Sequence, residues 1–289
     1  YYTGAMGDKN RKSRGLKKQE GYEGIKEIME KYNLSAQEIS STKPFKLPLA
    51  HNRIGLMSDV HIPYHYLPAL ETTIDYFQSK EINTLFINGD LVDFYGISRF
   101  SKDPLRKDVT YEVNQTLEFF EFIRHVFPTQ KIYWKLGNHE DRFEYYMRSN
   151  AKELFGLNDF TLTSIFRLNE YNIELVGSKQ RTIAGKLNIV HGHEFGQSVF
   201  SPVNPARGLF LRAKASIIAG HNHQTSEHHE NDINGNPVGC WSTGCLCELN
   251  PEYRPFADTK WNHGAAYIDV DSDGSFTVDN FRIIKGRIR

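Results

Sequence analysis

Residues 131–142 read KIYWKLGNHEDR. An apolar run meets a glycine, and Asn138, His139, Glu140, Asp141 and Arg142 follow without a gap. Adjacent polar groups of this kind cost folding free energy if they are desolvated without partners. They are therefore either an ordinary solvated loop or groups held for chemistry, and other segments decide between the two. Ser58-Asp59-Val60-His61 closes one apolar run and Gly89-Asp90-Leu91-Val92-Asp93 a second. Val190-His191-Gly192-His193 closes a third and Gly220-His221-Asn222-His223 a fourth. Singly, each is a polar turn of the sort that follows many strands. Together they hold six of the chain's 12 histidines and repeat one Asp, His and Asn chemistry five times. Solvated loops have no reason to do that.

Imidazole and carboxylate without thiolate suit borderline-hard divalent metals such as manganese, iron, zinc and nickel. Asp59, His61, Asp90, Asn138, His191, His221 and His223 are too many ligands for one tetrahedral site. They suit two cations about 3.5–4 Å apart that share a carboxylate, as in phosphatases and nucleases. Asn138 adds a neutral oxygen, so such a site keeps net positive charge for an anionic substrate. An imidazole paired with a carboxylate is a suitable proton donor to a leaving alkoxide.

The ordered set Asp59-x-His61, Gly89-Asp90-x-x-Asp93, Gly137-Asn138-His139-Glu140, His191 and Gly220-His221-x-His223 resembles the calcineurin-like metallophosphoesterase superfamily. The likeness runs over residues 53–223. It implies a four-layer αββα sandwich with mixed β-sheets and a dimetal site at the C-terminal edge of the strands. It implies Asp59, His61, Asp90 and His223 on one divalent ion, and Asp90, Asn138, His191 and His221 on the other. Asp90 and a hydroxide would bridge, the hydroxide acting as nucleophile. His139 would face the scissile phosphate as general acid, oriented by Asp93. Manganese is the first expectation for the ions, with iron, zinc or nickel as alternatives. Protein phosphatases of the superfamily carry an arginine in the pattern GDxxDRG, and Phe94 stands in that place here. That sets the chain apart from the protein serine/threonine phosphatase branch and closer to bacterial and phage members. A phosphodiester in nucleic acid or a nucleotide is the first substrate expectation. A phosphomonoesterase acting on nucleotides or phosphoproteins is the second, and a non-catalytic scaffold of the same fold the third.

Other residues near the motifs are weighed by position. Arg142 could clamp a phosphate oxygen or make a surface ion pair. Arg99 and Tyr64, among the aromatics and arginines after the first two motifs, join Arg142 and Asn138 as candidates for substrate contact; a base could stack there. Glu140 supports its turn or a ligand histidine, and Gly137 allows a tight turn. His193 is not counted as a ligand. His228 and His229 are expected on an exposed loop. Cys245 and Cys247 read as buried thiols rather than metal ligands. Asp271-Ser272-Asp273-Gly274 opens like a calcium loop, but Arg282 stands where the closing acid belongs, so it is a turn.

Strands must alternate with helices to deliver these groups to one edge. Strands are expected at 53–61, 83–90 and 131–140, with helices at 66–80 and 109–127. Further helices are expected at 140–155, 159–168 and 205–214, between shorter β elements and a closing Asp-Gly hairpin. The alternation argues a layered α/β protein with parallel pairing, whose ligands sit at strand C-termini. Pro44 and Pro48 mark a linker or an extended entry, which divides an N-terminal arm and short helical segment (1–48) from a catalytic domain (49–289). Residues 1–7 are set aside from fold reasoning, since GAMG has the form of a cloning scar.

Lys+Arg and Asp+Glu both number 35, so whole-protein steering toward nucleic acid or membrane is not indicated. Residues 9–18 (KNRKSRGLKK) nevertheless hold six basic residues and no acid. With the helices expected at 21–33 and from Ser35, they make nucleic acid a candidate partner besides the phosphoester substrate. No run approaches the ~20 apolar residues that span a bilayer. Three clustered cysteines fit a reducing, cytoplasmic compartment better than a disulfide framework.

Overall fold

Period-two alternation along Arg53–Met57, Thr84–Asn88 and Lys131–Lys135 sorts their side chains into two cores. Ile54, Leu56, Phe86 and Tyr133 face one way, into a cluster with Ile189, Ile218, Trp241 and Ile268. Met57, Leu85, Ile87, Ile132 and Trp134 face the other, into a cluster with Ile74, Phe77, Phe120 and Ile123. Each strand is thus buried on both faces, as a sheet covered by layers on either side must be.

The computed structural model describes residues 24–34, 43–99, 108–195, 203–250 and 259–289. The chain divides into a unit Tyr1–Ser41 and a unit Thr42–Arg289. The first contains α1 (Ile25–Lys31). The second begins with β1 (Phe45–Lys46), β2 (Arg53–Met57), α2 (Leu67–Ser79), β3 (Thr84–Asn88), α3 (Val109–Val126), β4 (Lys131–Lys135) and α4 (Glu140–Asn150). It continues with α5 (Leu162–Ile165), β5 (Ile173–Val176), β6 (Thr182–Ala184), β7 (Leu187–Val190), α6 (Pro205–Ala213) and β8 (Ile217–Ala219). It closes with β9 (Ser226–Asn231), β10 (Pro237–Ser242), β11 (His263–Val270), β12 (Phe276–Ile284) and β13 (Arg287–Ile288).

The larger sheet has the order β13-β12-β11-β2-β3-β4-β5 and the smaller β1-β6-β7-β8-β10-β9. Strands β2 to β5 run parallel, while β11 and β12 are antiparallel. The smaller sheet is also mixed, with β7, β8 and β10 parallel and β9 antiparallel at its edge. Helices α2 and α3 cover the outer face of the larger sheet. Helix α6 covers the smaller one, Ala206 and Leu209 packing on Val190, Ile217, Ala219 and Cys240. The layers are therefore α, β, β, α, as expected.

Several local expectations are corrected. Of the two readings of residues 43–48, the extended entry holds and the linker does not, since they contain β1, which pairs with Thr182 and Ile183 of β6. The helix expected to reach 155 ends at Asn150. The helix expected at 159–168 is a 3-10 turn at Asn158–Phe160 and the four-residue α5. There the Thr161 side chain accepts from the Ser164 N–H, a local bond that starts a new helix rather than continuing one. His228 and His229 lie on β9, not on a loop. Its polar composition suits a strand at a solvated edge. The basic stretch 9–18 and the second N-terminal helix expected from Ser35 lie outside the described residues. Among the described residues, no helix is long and apolar enough to cross a membrane.

Glu112 of α3 is buried and accepts from the Tyr95 N–H at 3.0 Å, holding the segment that follows Asp93. Burial, then the Asp93 charge, pushes its carboxyl from 4.5 up to about 8, against the pull of the N–H groups of residues 94–96. The folded state thus holds a proton that the unfolded state releases. Its stabilisation is complete below about pH 4.5 and is lost as pH climbs toward about 8. Glu112→Gln keeps the shape without the titration. Its Tm relative to wild type is expected to rise steadily from pH 5 to about pH 8 in chelator-treated protein; a constant difference would contradict the raised pKa.

Candidate metal centre

The five motifs leave the C-terminal ends of β2, β3, β4, β7 and β8. The first three strands belong to the larger sheet and the last two to the smaller, so the site forms where two sheet edges meet. Asp59, His61, Asp90, His221 and His223 all have left-handed backbone, with φ from 51° to 66°. For non-glycine residues this costs of order 1–3 kcal/mol each, and such strain clusters at functional sites. Here each strand turns sharply at its end and presents its polar side chain inward. Gly89 (φ 84°) is required for space as well as for turning, and Gly137 for space. A Cβ on Gly89 would strike the His191 ring, and one on Gly137 would strike Asp90. Gly137 thus serves close approach rather than the turn for which the sequence suggested it.

Asp90 sits at the centre. Its Oδ2 lies 3.2 Å from His191 Nε2, 3.7 Å from His139 Nε2 and 4.0 Å from His61 Nε2. Its Oδ1 accepts from the His139 N–H at 2.9 Å. Asp59 Oδ1 is 3.1 Å from His223 Nε2, and its Oδ2 accepts from Ser58 Oγ at 2.5 Å and the His221 N–H at 2.9 Å. Asp59, His61, Asp90, His191 and His223 are buried. Ligand atoms of Asp59, His61 and Asp90 lie within 4.8 Å of one another, as do those of Asp90, His191 and His221.

These contacts leave lone pairs facing each other. His191 Nδ1 is 2.7 Å from the Asn88 carbonyl, which only an N–H there can satisfy, so Nε2 turns its lone pair toward the Asp90 carboxylate. His61 Nδ1 is held by Asp93 Oδ1 at 3.0 Å, and its Nε2 faces His223 Nε2 at 3.2 Å. Asn138 Oδ1 is buried without a hydrogen-bond partner. Converging acceptors in a buried site need protons or cations between them. With protons alone, burial pushes His191 and His223 down, but Asp90 and Asp59 prevail and hold each at about 10. Burial and the His191 charge push His221 down to about 4. Divalent cations satisfy the same lone pairs, so the donor set fits them.

The supports are equally specific. Glu140 accepts from the N–H groups of Asp90, Leu91, Val92 and Gly137 at 2.7–3.1 Å, fastening the ends of β3 and β4 together. Of its two expected roles, these bonds are the turn-supporting one. Asp93 Oδ1 faces both His61 Nδ1 at 3.0 Å and His139 Nδ1 at 3.2 Å. Arg142 donates through Nη1 to the Asp93 carbonyl at 2.7 Å, and its Nη2 lies 2.9 Å from His139 Nε2. It therefore points into the site rather than to a surface ion pair. A guanidinium can only donate, so this contact takes an unprotonated Nε2. Burial pushes His139 down and Arg142 opposes its protonation, yet Asp90 and Asp93 raise it on balance. Protonation of Nε2 therefore requires the guanidinium to swing away.

The profile of the calcineurin-like phosphoesterases matches residues 52–246. The chain belongs to this family. It is accordingly a metal-dependent phosphoester hydrolase. The gene 54 protein of Mycobacterium phage L5 is 25% identical over 249 residues, covering 78% of this chain and 96% of that protein. A dimetal phosphatase from Danio rerio aligns at TM-score 0.39 and 12% identity, covering 80% of this chain and 96% of that one. Vps29 of Chaetomium thermophilum aligns at TM-score 0.43 and 10% identity, covering 82% and 95%.

The phosphoesterase gathers Asp59, His61, Asp90, His191, His221 and His223 at one junction. Asn138 follows β4 between Gly137 and His139, its Oδ1 buried without a partner, and His139, Asp93 and Arg142 stand beside the cluster. The outlying candidates fare differently. Tyr64 is half-buried in the turn after His61, its N–H on the His61 carbonyl at 2.6 Å. Arg99 is exposed. Phe94 is buried against Phe143 and Phe166, so it is core and not a stacking surface. Cys245 and Cys247 are free and buried, as expected, and so is Cys240, but Cys247 Sγ lies 3.9 Å from His223 Nδ1. Sequence reasoning missed that contact, and also Trp261, whose ring centre is 4.1 Å from that of His223. It missed Lys135 and Glu194 too. A lysine closing an apolar strand and an acid three residues after His191 were the available signals.

Proposed function

We propose that this phosphoesterase hydrolyses phosphodiesters, in nucleic acid or nucleotides, at a site for two divalent cations with manganese the first to test. Asp59, His61, Asp90 and His223 would hold one, and Asp90, Asn138, His191 and His221 the other. The observation that carries the reading is the central Asp90, whose Oδ2 lies within 4.0 Å of His61, His139 and His191. Bound there, two cations would supply an activated water and neutralise phosphate oxygens.

The chain's own residues account for the rest. Asp93 holds His61 and His139 by their Nδ1 atoms, which leaves both Nε2 atoms directed into the site. His139 is the proton donor to the leaving oxygen, through Nε2. Arg142 covers that nitrogen. An incoming phosphate offers the guanidinium a stronger, charge-assisted partner. Transfer of Arg142 to the phosphate would free His139 Nε2 to carry its proton. The diester preference is supported by Phe94, a buried core residue where the protein phosphatases carry an arginine. A diester bears less charge than a monoester and needs that cation less.

The test is a pair of initial rates with Mn²⁺, on bis-p-nitrophenyl phosphate and p-nitrophenyl phosphate at matched concentration. A higher rate on the diester is expected. Preference for the monoester would replace the reading with a nucleotidase or phosphatase. No metal uptake and no stimulation by Mn²⁺ would leave only a scaffold.

A further inference from the structure

Asn138 follows β4 in the larger sheet, and His191 follows β7 in the smaller. Their side chains must nonetheless meet at one point to about half an ångström if they are to share a cation. Lys135, the last residue of β4, is buried. Its Nζ donates to the Ser178 carbonyl at 2.8 Å, in the turn after β5. The same Nζ lies 2.9 Å from Glu194 Oε1. Glu194 in turn accepts from the His191 N–H at 3.1 Å and the Gly192 N–H at 2.6 Å. Burial pushes the Glu194 carboxyl up, but the Lys135 and His193 charges prevail and hold it down at about 2.

A buried ion pair is weak evidence for stability, because apolar residues of the same shape often hold a fold as well or better. This pair does something an apolar contact would not. Its carboxylate fixes the His191 peptide, while the Asn88 carbonyl fixes the His191 ring at 2.7 Å. Its ammonium ties that carboxylate to the strand that delivers Asn138. The other candidate set is supported differently, by Ser58 on Asp59 and Asp93 on His61.

We propose that Lys135 and Glu194 are positioning residues, an ionic strut between the two sheets that sets the spacing of Asn138 and His191 for one of the two cations. The proposal rests on the two-cation reading above, and its test separates the two.

Chelator-stripped protein is titrated with Mn²⁺ by calorimetry and followed by electron paramagnetic resonance, which distinguishes a coupled pair of ions from a single six-line ion. Glu194→Gln and Lys135→Met are each expected to weaken one equivalent by about 10- to 100-fold, the usual effect of losing a ligand's support. The other equivalent stays near its wild-type affinity, and the coupled signal gives way to six lines. Lys135→Met leaves Glu194 buried without its cation; if that variant does not fold, the double variant Lys135→Met/Glu194→Gln decides, with the same expected loss. Equal weakening of both equivalents, or of neither, overturns the strut. A wild-type protein that takes up fewer than two equivalents overturns the two-cation reading itself, and the strut with it.

Discussion

Asp90→Ala is expected to lower kcat/KM by at least about 10³-fold and to remove both metal equivalents. A bound cation contributes several kcal/mol of transition-state stabilisation, and each 1.4 kcal/mol is about tenfold in rate. Asp90 is where the two candidate sets meet, so its loss reaches both. Its removal also withdraws the acceptor of the His139 N–H and leaves His191 Nε2 without its carboxylate. Asp90→Asn separates these effects, since the amide oxygen can still accept from the His139 N–H while the charge is gone. Metal counted in purified protein and rates with Mn²⁺ are the measurements. Retention of two equivalents by Asp90→Ala would show that it does not bridge.

His139→Ala is expected to keep both metals and to lose about 10²- to 10⁴-fold in rate, the range for general acid–base catalysis. The loss concerns proton delivery, so it should be largest for poor leaving groups and small for p-nitrophenolate, which leaves without a proton. Equal loss on both kinds of substrate would remove the proton-donor role. Arg142 would lose its contact at Nε2 but keep the Asp93 carbonyl, and Asp93 would keep His61. The metal side of the site should therefore stand, and unchanged Mn²⁺ uptake is the control for that.

Much of the fold is legible in the sequence. The strand pattern places the starts of β2, β3 and β4 to within a residue, because alternation is a local property, but it carries each strand two to five residues past its end, into the polar motif that follows. The five motifs name their chemistry because residue type decides which ions and protons a group can hold. Helix α4 is expected too long because a polar, weakly periodic stretch carries no local mark of its end. Strand β9 reads as a loop because an edge strand is polar on much of its surface.

Residue order alone thus specifies an inventory: which groups reach the strand ends, in what succession, and hence the reaction type. Partnership emerges only in three dimensions. Arg142 turns onto His139, Glu140 gathers four backbone N–H groups, Phe94 enters the core, and Lys135 meets Glu194 across two sheets. Each of these joins residues whose neighbourhood depends on sheet register and layer packing. Those are set by long-range burial, which no short stretch of sequence encodes.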